Sequence, residues 1–196
     1  MFDSYKKSIS PFQLAVYISL SSADHMVDVV KKVSESLEHT SGLTLSQGKT
    51  VDEMQWVPVA CGVIAARICF GVEAAQNIIR ELGVVYAGIH ETNRQKGRRT
   101  PFTEEFISAL QAKVSAYLRA FEGGLGLNAV RVKGADPVEL ALKRVAAVGH
   151  DLVRGLPLAD IATSELPDGP LSRVVYDLAR QSTQTFRSHF DQFRLS

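Results

Sequence analysis

The spacing of apolar residues along this chain predicts helices almost throughout. After Ser10-Pro11-Phe12-Gln13, apolar residues fall at Phe12, Val16, Leu20, Ala23, Val27, Val30, Val33 and Leu37, in three- and four-residue steps. That period is the signature of an amphipathic helix. Serine at the N-cap, proline at the first helical position and glutamine two further on supply its start. A competing pattern runs through the same residues. Phe12, Leu14, Val16, Ile18 and Leu20 alternate, as in a half-buried strand spanning 12–20. In that reading Ser21 or Ser22 caps a separate helix over 23–38, and the fold becomes α+β.

Residues 40–49 are rich in Ser, Thr and Gly and predict a loop. Thr50-Val51-Asp52-Glu53 has the spacing of a capping box, opening a short helix that Pro58 must interrupt or kink. The stretch from Val57 to Ile89 is the most apolar in the chain. Small residues recur through it at near-helical spacing, and Arg67 is its one charge before Val72. This predicts a central helix closely approached by others, with Gly71 as a local weak point. Arg67 is expected to pair with a carboxylate such as Glu73, or with one on another helix.

Arg94 to Arg99 form a basic connection, and Thr100-Pro101 open the next helix, with its inner face at Phe102, Phe106, Leu110, Val114, Tyr117 (or Leu118) and Phe121. The glycines of Gly123-Gly124-Leu125-Gly126 are expected to stop it, leaving 127–135 as a loop or short strand. Asp136-Pro137 caps a helix whose inner face is Val138, Leu142, Val145, Ala146 and Leu152. A short helical piece follows around 158–163, and a final helix runs from Pro170 to Phe193. The expected architecture is all-α, with five to seven helices around the central apolar one. It forms a single domain over 1–196, with a candidate sub-boundary at 123–135.

Composition narrows the function classes without selecting one. The chain has 196 residues, 45% of them hydrophobic and 22% charged, and a net charge of +1. No whole-molecule field draws it to nucleic acid or an acidic membrane, so any anion site is local. The two cysteines, Cys61 and Cys69, stand eight residues apart, about 12 Å along one helix, too far for a disulfide. Unpaired thiols fit a reducing, cytoplasmic setting. The run PFQLAVYISL is too short for a signal core, and no cleavage site follows it.

Four groups of residues are candidates for chemistry. Arg94, Lys96, Arg98 and Arg99 cluster around Gly97, ahead of a helix start, where anions are favoured. Arg173, Arg180, Arg187 and Arg194 recur every seven residues, a slowly turning stripe on one helix, with Asp177 and Asp191 placed to pair with Arg173 and Arg187. Leu158 to Leu178 has the outline of a helix-turn-helix, with Ala162 at the small position and Arg173 on the second helix, but Pro167 and Pro170 crowd its turn. His150-Asp151, at the end of an apolar helix, resembles the central pair of the HD-domain phosphohydrolases. That resemblance implies a divalent metal that activates water for attack on a phosphoester, with His90 upstream and Asp177 downstream completing the ligand set.

No nucleophile elbow, phosphate loop or zinc-ligand spacing occurs. The expectation is a non-enzymatic bundle that acts by protein–protein or ligand binding, as a homo-oligomer or assembly subunit, with no cofactor and no membrane span. Arg94 to Arg99 and Arg173, Arg180 and Arg187 are its expected contact surfaces. Metal-dependent phosphohydrolase and DNA-binding regulator are the alternatives.

Overall fold

Reciprocal capping at Ser10 and Gln13 decides how the chain starts. In a computed structural model, which describes residues 6–22, 53–99, 102–128, 136–161 and 166–196, the Gln13 amide N–H donates to Ser10 Oγ at 3.2 Å. The Ser10 N–H donates to Gln13 Oε1 at 2.9 Å. A cap of this kind contributes about 1 kcal/mol. Residues 11–22 are accordingly helical (α1), and the strand over 12–20 is not formed. Burial makes the same point: Leu14, Ala15, Ile18, Ser19 and Ser22 face inward at helical spacing, while Phe12 and Leu20 are exposed. The inner face is therefore a different one from the predicted stripe of Phe12, Val16 and Leu20. Ala23 to Leu37, the loop at 40–49 and the cap at 50–52 lie outside the described residues.

The predicted central helix is two helices. α2 spans Trp56–Phe70 and α3 spans Val72–Gln95. Between them Gly71 has φ 97°, a left-handed conformation that a Cβ would strain, and its N–H donates to Arg67 O at 3.1 Å. Only α2 is central. Every residue from Trp56 to Ala66 is buried, whereas α3 buries a single face of Ala74, Ala75, Ile78, Leu82, Gly83 and Tyr86. Pro58 sits in the first turn of α2, where its missing N–H leaves no helical bond unmade, and the turn at Gln55 marks the interruption it causes.

α4 spans Glu104–Asn128 and is capped by Thr103, whose Oγ1 accepts the Phe106 N–H at 3.2 Å. Leu110, Val114, Tyr117 and Phe121 are buried on its inner face, as expected. Its glycines do not stop it. Gly124 lies so close to the next helix that an added Cβ would fall 2.6 Å from Ala141 Cα. Gly124 thus serves a helix crossing; Leu127 and Asn128 of the predicted loop or strand are helical, and 129–135 lie outside the described residues. α5 spans Pro137–Val153, with Asp136 accepting the Val138 N–H at 2.9 Å.

A 3₁₀ turn at Leu158–Asp160 precedes α6, Pro170–Phe190, which ends three residues short of the predicted Phe193. The chain instead turns into β2, Phe193–Leu195, which pairs in parallel with β1, Lys7–Ile9. Lys7 aligns with Phe193 and Ile9 with Leu195, so the two ends of the described chain are tied together. α2 packs against α3, α4 and α6, and α5 bridges α4 and α6. α1 lies against α2 at Gly62, where a Cβ would fall 2.7 Å from Ile18 Cγ1. The architecture is an all-α bundle with one short sheet. No helix among the described residues is long and apolar enough to cross a membrane.

The glycine contacts make a paired prediction. Gly124→Ala forces α4 and α5 apart and is expected to cost about 1–3 kcal/mol, as overpacking does. Gly126→Ala, with open space around its Cβ position, is expected to stabilise by up to about 1 kcal/mol. Urea denaturation of both variants checks this. Two shifts of the same sign would contradict the close approach.

A candidate binding groove between α1 and α3

α1 is apolar on two faces. The inner one packs on α2. The outer one contributes Phe12, Val16 and Leu20, with the buried Ser19 at its inner edge, to a cleft of about 520 Å³, whose other wall is Val84, Val85, Gly88, Ile89, Thr92 and Asn93 of α3. Gly88 helps to keep it open, because no atom lies within 4 Å of where its Cβ would stand. Phe12 is 46% exposed, Leu20 64% and Val84 57%, so three of the five large apolar side chains exposed among the described residues gather here. Beneath them the Ser19 hydroxyl donates to Ala15 O at 2.9 Å. Tyr86 is buried on the inner side of α3, its ring 5.1 Å from that of Phe102. Burial raises the Tyr86 pKa, and the Ser19 hydroxyl offsets part of that rise.

One end of the groove reaches the basic connection. Gly97 N–H donates to Arg94 O at 3.0 Å and Arg98 N–H to Asn93 O at 2.9 Å, with Gly97 at φ 65°. This bond pair closes α3 with a Schellman turn. Arg94 is spent locally on Glu91, through contacts of 2.9 and 3.1 Å, and these hold the Glu91 carboxyl below its usual range. Lys96, Arg98 and Arg99 are exposed and form no ion pair among the described residues. The predicted anion site at the following helix start is not formed as expected. Thr100 and Pro101 lie outside the described residues, and α4 begins at Glu104 with Thr103 on one of its free amides and Glu104 and Glu105 in its first turn.

The arginine stripe divides. Arg180 binds Glu139 of α5 at 3.0 Å, and the same carboxylate accepts the Tyr176 hydroxyl. Burial, then that carboxylate, push the Tyr176 pKa up to about 12. Arg173 and Arg187 are exposed and reach neither Asp177 nor Asp191 at ion-pair distance. Arg194 belongs to β2, off the helix. Arg67 meets Glu122 on α4 through both its Nε and Nη2, so of the expected partners it takes one on another helix rather than Glu73. Lys113 of α4 similarly holds Glu53 at 2.5 and 2.6 Å, above the Trp56 ring.

His150 is buried at the end of α5, with Nδ1 3.2 Å from Asp151 Oδ1. His90 lies on α3 and Asp177 on the exposed side of α6. Among the described residues no three of His, Cys, Asp and Glu gather closely enough to hold a metal ion. In the helix-turn-helix outline, the only regular structure described before α6 is the 3₁₀ turn, and Ala162 lies outside the described residues.

Sequence reasoning missed the groove because it assigned Phe12, Val16 and Leu20 to the core. The available signal was that α1 carries two apolar stripes, and a helix at the edge of a bundle has neighbours for only one or two of its faces. No protein-family model, curated protein or solved structure matches this chain.

Both cysteines are free, and burial disfavours the thiolate of each; at Cys69 it and Asp191 outweigh the cations Arg187 and Lys6. Burial pushes Cys61 up to about 12. Burial, then the Asp191 carboxylate 3.6 Å away, push Cys69 up to about 11. A raised thiol pKa leaves less thiolate at any given pH. Iodoacetamide at pH 8 is therefore expected to alkylate Cys69 roughly ten- to a hundredfold more slowly than a free thiol. Asp191→Asn should speed it, and Cys61 should react only on unfolding. Intact-mass kinetics checks all three; a native Cys69 as fast as free cysteine contradicts them.

Proposed function

We propose that this chain is a non-enzymatic helical protein that works by binding, with the α1–α3 groove as its working surface. One observation carries the reading: Phe12, Leu20 and Val84 converge on one cleft instead of being scattered. A contiguous exposed apolar patch costs solubility and marks an interaction site. The distribution of charge supports it. Arg67–Glu122, Lys113–Glu53 and Arg180–Glu139 join one helix or its flanking residue to another, so these charged pairs serve the scaffold. His150 and Asp151 likewise face each other at the end of α5. The unpaired thiols favour a reducing, cytoplasmic setting.

Self-association through the same face is the second reading. Phe12 and Leu20 are exposed enough to meet a second copy, and an isologous contact would bury both sets. Val84→Glu and Leu20→Glu place a charge on the groove without touching the core. Anilinonaphthalene sulfonate is expected to bind the native protein at one saturable site and to lose that site in both variants at unchanged stability. Fluorescence titration checks this. Native protein without dye binding, or variants that bind as well as the parent, would overturn the groove as working surface. Sedimentation equilibrium decides the second reading, which predicts a dimer that becomes monomeric in the same variants.

A further inference from the structure

The groove and the basic turn are one continuous feature. Asn93 lines the groove, and its carbonyl accepts the Arg98 N–H at 2.9 Å, so the turn folds back onto the groove's end. Residues 11–22 contain no Asp, Glu, Lys or Arg. From Gly83 to Arg99 the opposite wall has a single carboxylate, Glu91, and Arg94 and Gln95 already engage it. Lys96, Arg98 and Arg99 remain exposed beyond it without ion pairs among the described residues. Among the described residues, an apolar trough thus ends in positive charge that no carboxylate pairs.

Resting on the groove as the working surface, we infer that it takes the alkyl chain of a single free anionic amphiphile, a long-chain carboxylate, whose head group meets the Lys96–Arg99 turn. The dimensions suit such a ligand. Val84 to Asn93 covers about 13 Å of helix and Phe12 to Leu20 about 12 Å, at 1.5 Å per residue. A volume of about 520 Å³ falls within the roughly 300–1,000 Å³ of small-molecule sites. Charge argues against a second copy as occupant, because α1 carries no charge to answer the cations and the copy's own turn would bring Lys96, Arg98 and Arg99 again. It favours a ligand with one apolar body and one negative end.

Calorimetric titration of the full-length protein with dodecanoate, below its micelle threshold, tests the assignment. Dodecanoate is expected to bind at one saturable site, with decanoate about fifteenfold weaker, at roughly fourfold per methylene. Dodecyltrimethylammonium should bind about tenfold or more weakly than dodecanoate, because the head-group charge is reversed. Combined Lys96→Glu, Arg98→Glu and Arg99→Glu should weaken dodecanoate by a similar factor and leave dodecanol unchanged. Val84→Glu, at an exposed position, should abolish binding of both. Equal affinity for the cationic and anionic amphiphiles overturns the head-group assignment, and no chain-length dependence overturns the groove as the alkyl site. Preferential co-sedimentation with anionic phospholipid vesicles overturns the free ligand in favour of a membrane surface. No dodecanoate binding while the dye still binds and Val84→Glu abolishes that signal sinks the ligand class but spares the groove; loss of both sinks the two together.

Discussion

A helix that is apolar on every side has to be surrounded, and α2 is that helix. From Trp56 to Ala66 each residue is buried, so no face can be left to water. At about 25 cal/mol per Å² of apolar surface, exposing one such face would cost several kcal/mol, a large share of the roughly 5–15 kcal/mol that holds a typical domain folded. The rest of the architecture follows from covering it. α3, α4 and α6 pack directly on it, and α1 closes on it where Gly62 admits Ile18. Charge returns at its end, where Arg67 reaches Glu122 on a covering helix.

The groove is a by-product of the same constraint. α1 offers two apolar stripes, but α2 needs only the one containing Leu14 and Ile18. Phe12, Val16 and Leu20 are left facing along α3, where Gly88 provides no side chain to fill the space. An exposed stripe of this kind burdens solubility unless something binds there. The Schellman turn at Gly97 then brings to one end Lys96, Arg98 and Arg99, which form no ion pair among the described residues, so a local device that terminates a helix also gives the groove its polarity.

Much of the fold was legible, for identifiable reasons. The capping residues Ser10, Gln13 and Asp136 act locally and appear in the structure as their spacing predicts. The inner faces of α4 and α5 follow from period alone. What failed depended on distance. Gly123 and Gly124 look like a helix stop until Ala141 is seen against Gly124. Gly71 and Gly124 are chemically identical, yet one ends a helix and the other lets one pass. β1 and β2 are three residues each, too short for a period, and pair from opposite ends of the chain. The site was the least legible part. Charge drew attention to Arg94–Arg99 and Arg173–Arg187, whereas the apolar wall beside the first of these had been assigned to the core.

Hydrogen–deuterium exchange resolved by residue tests most directly whether everything rests on the enclosure of α2. The amides of Val59 to Ala66 are expected to exchange slowest in the molecule, at the rate of global unfolding. Those of α1, held by one face, should exchange faster through local opening. If α2 exchanges as fast as α1, or well before α4 and α6, then it is not the element the bundle is built around.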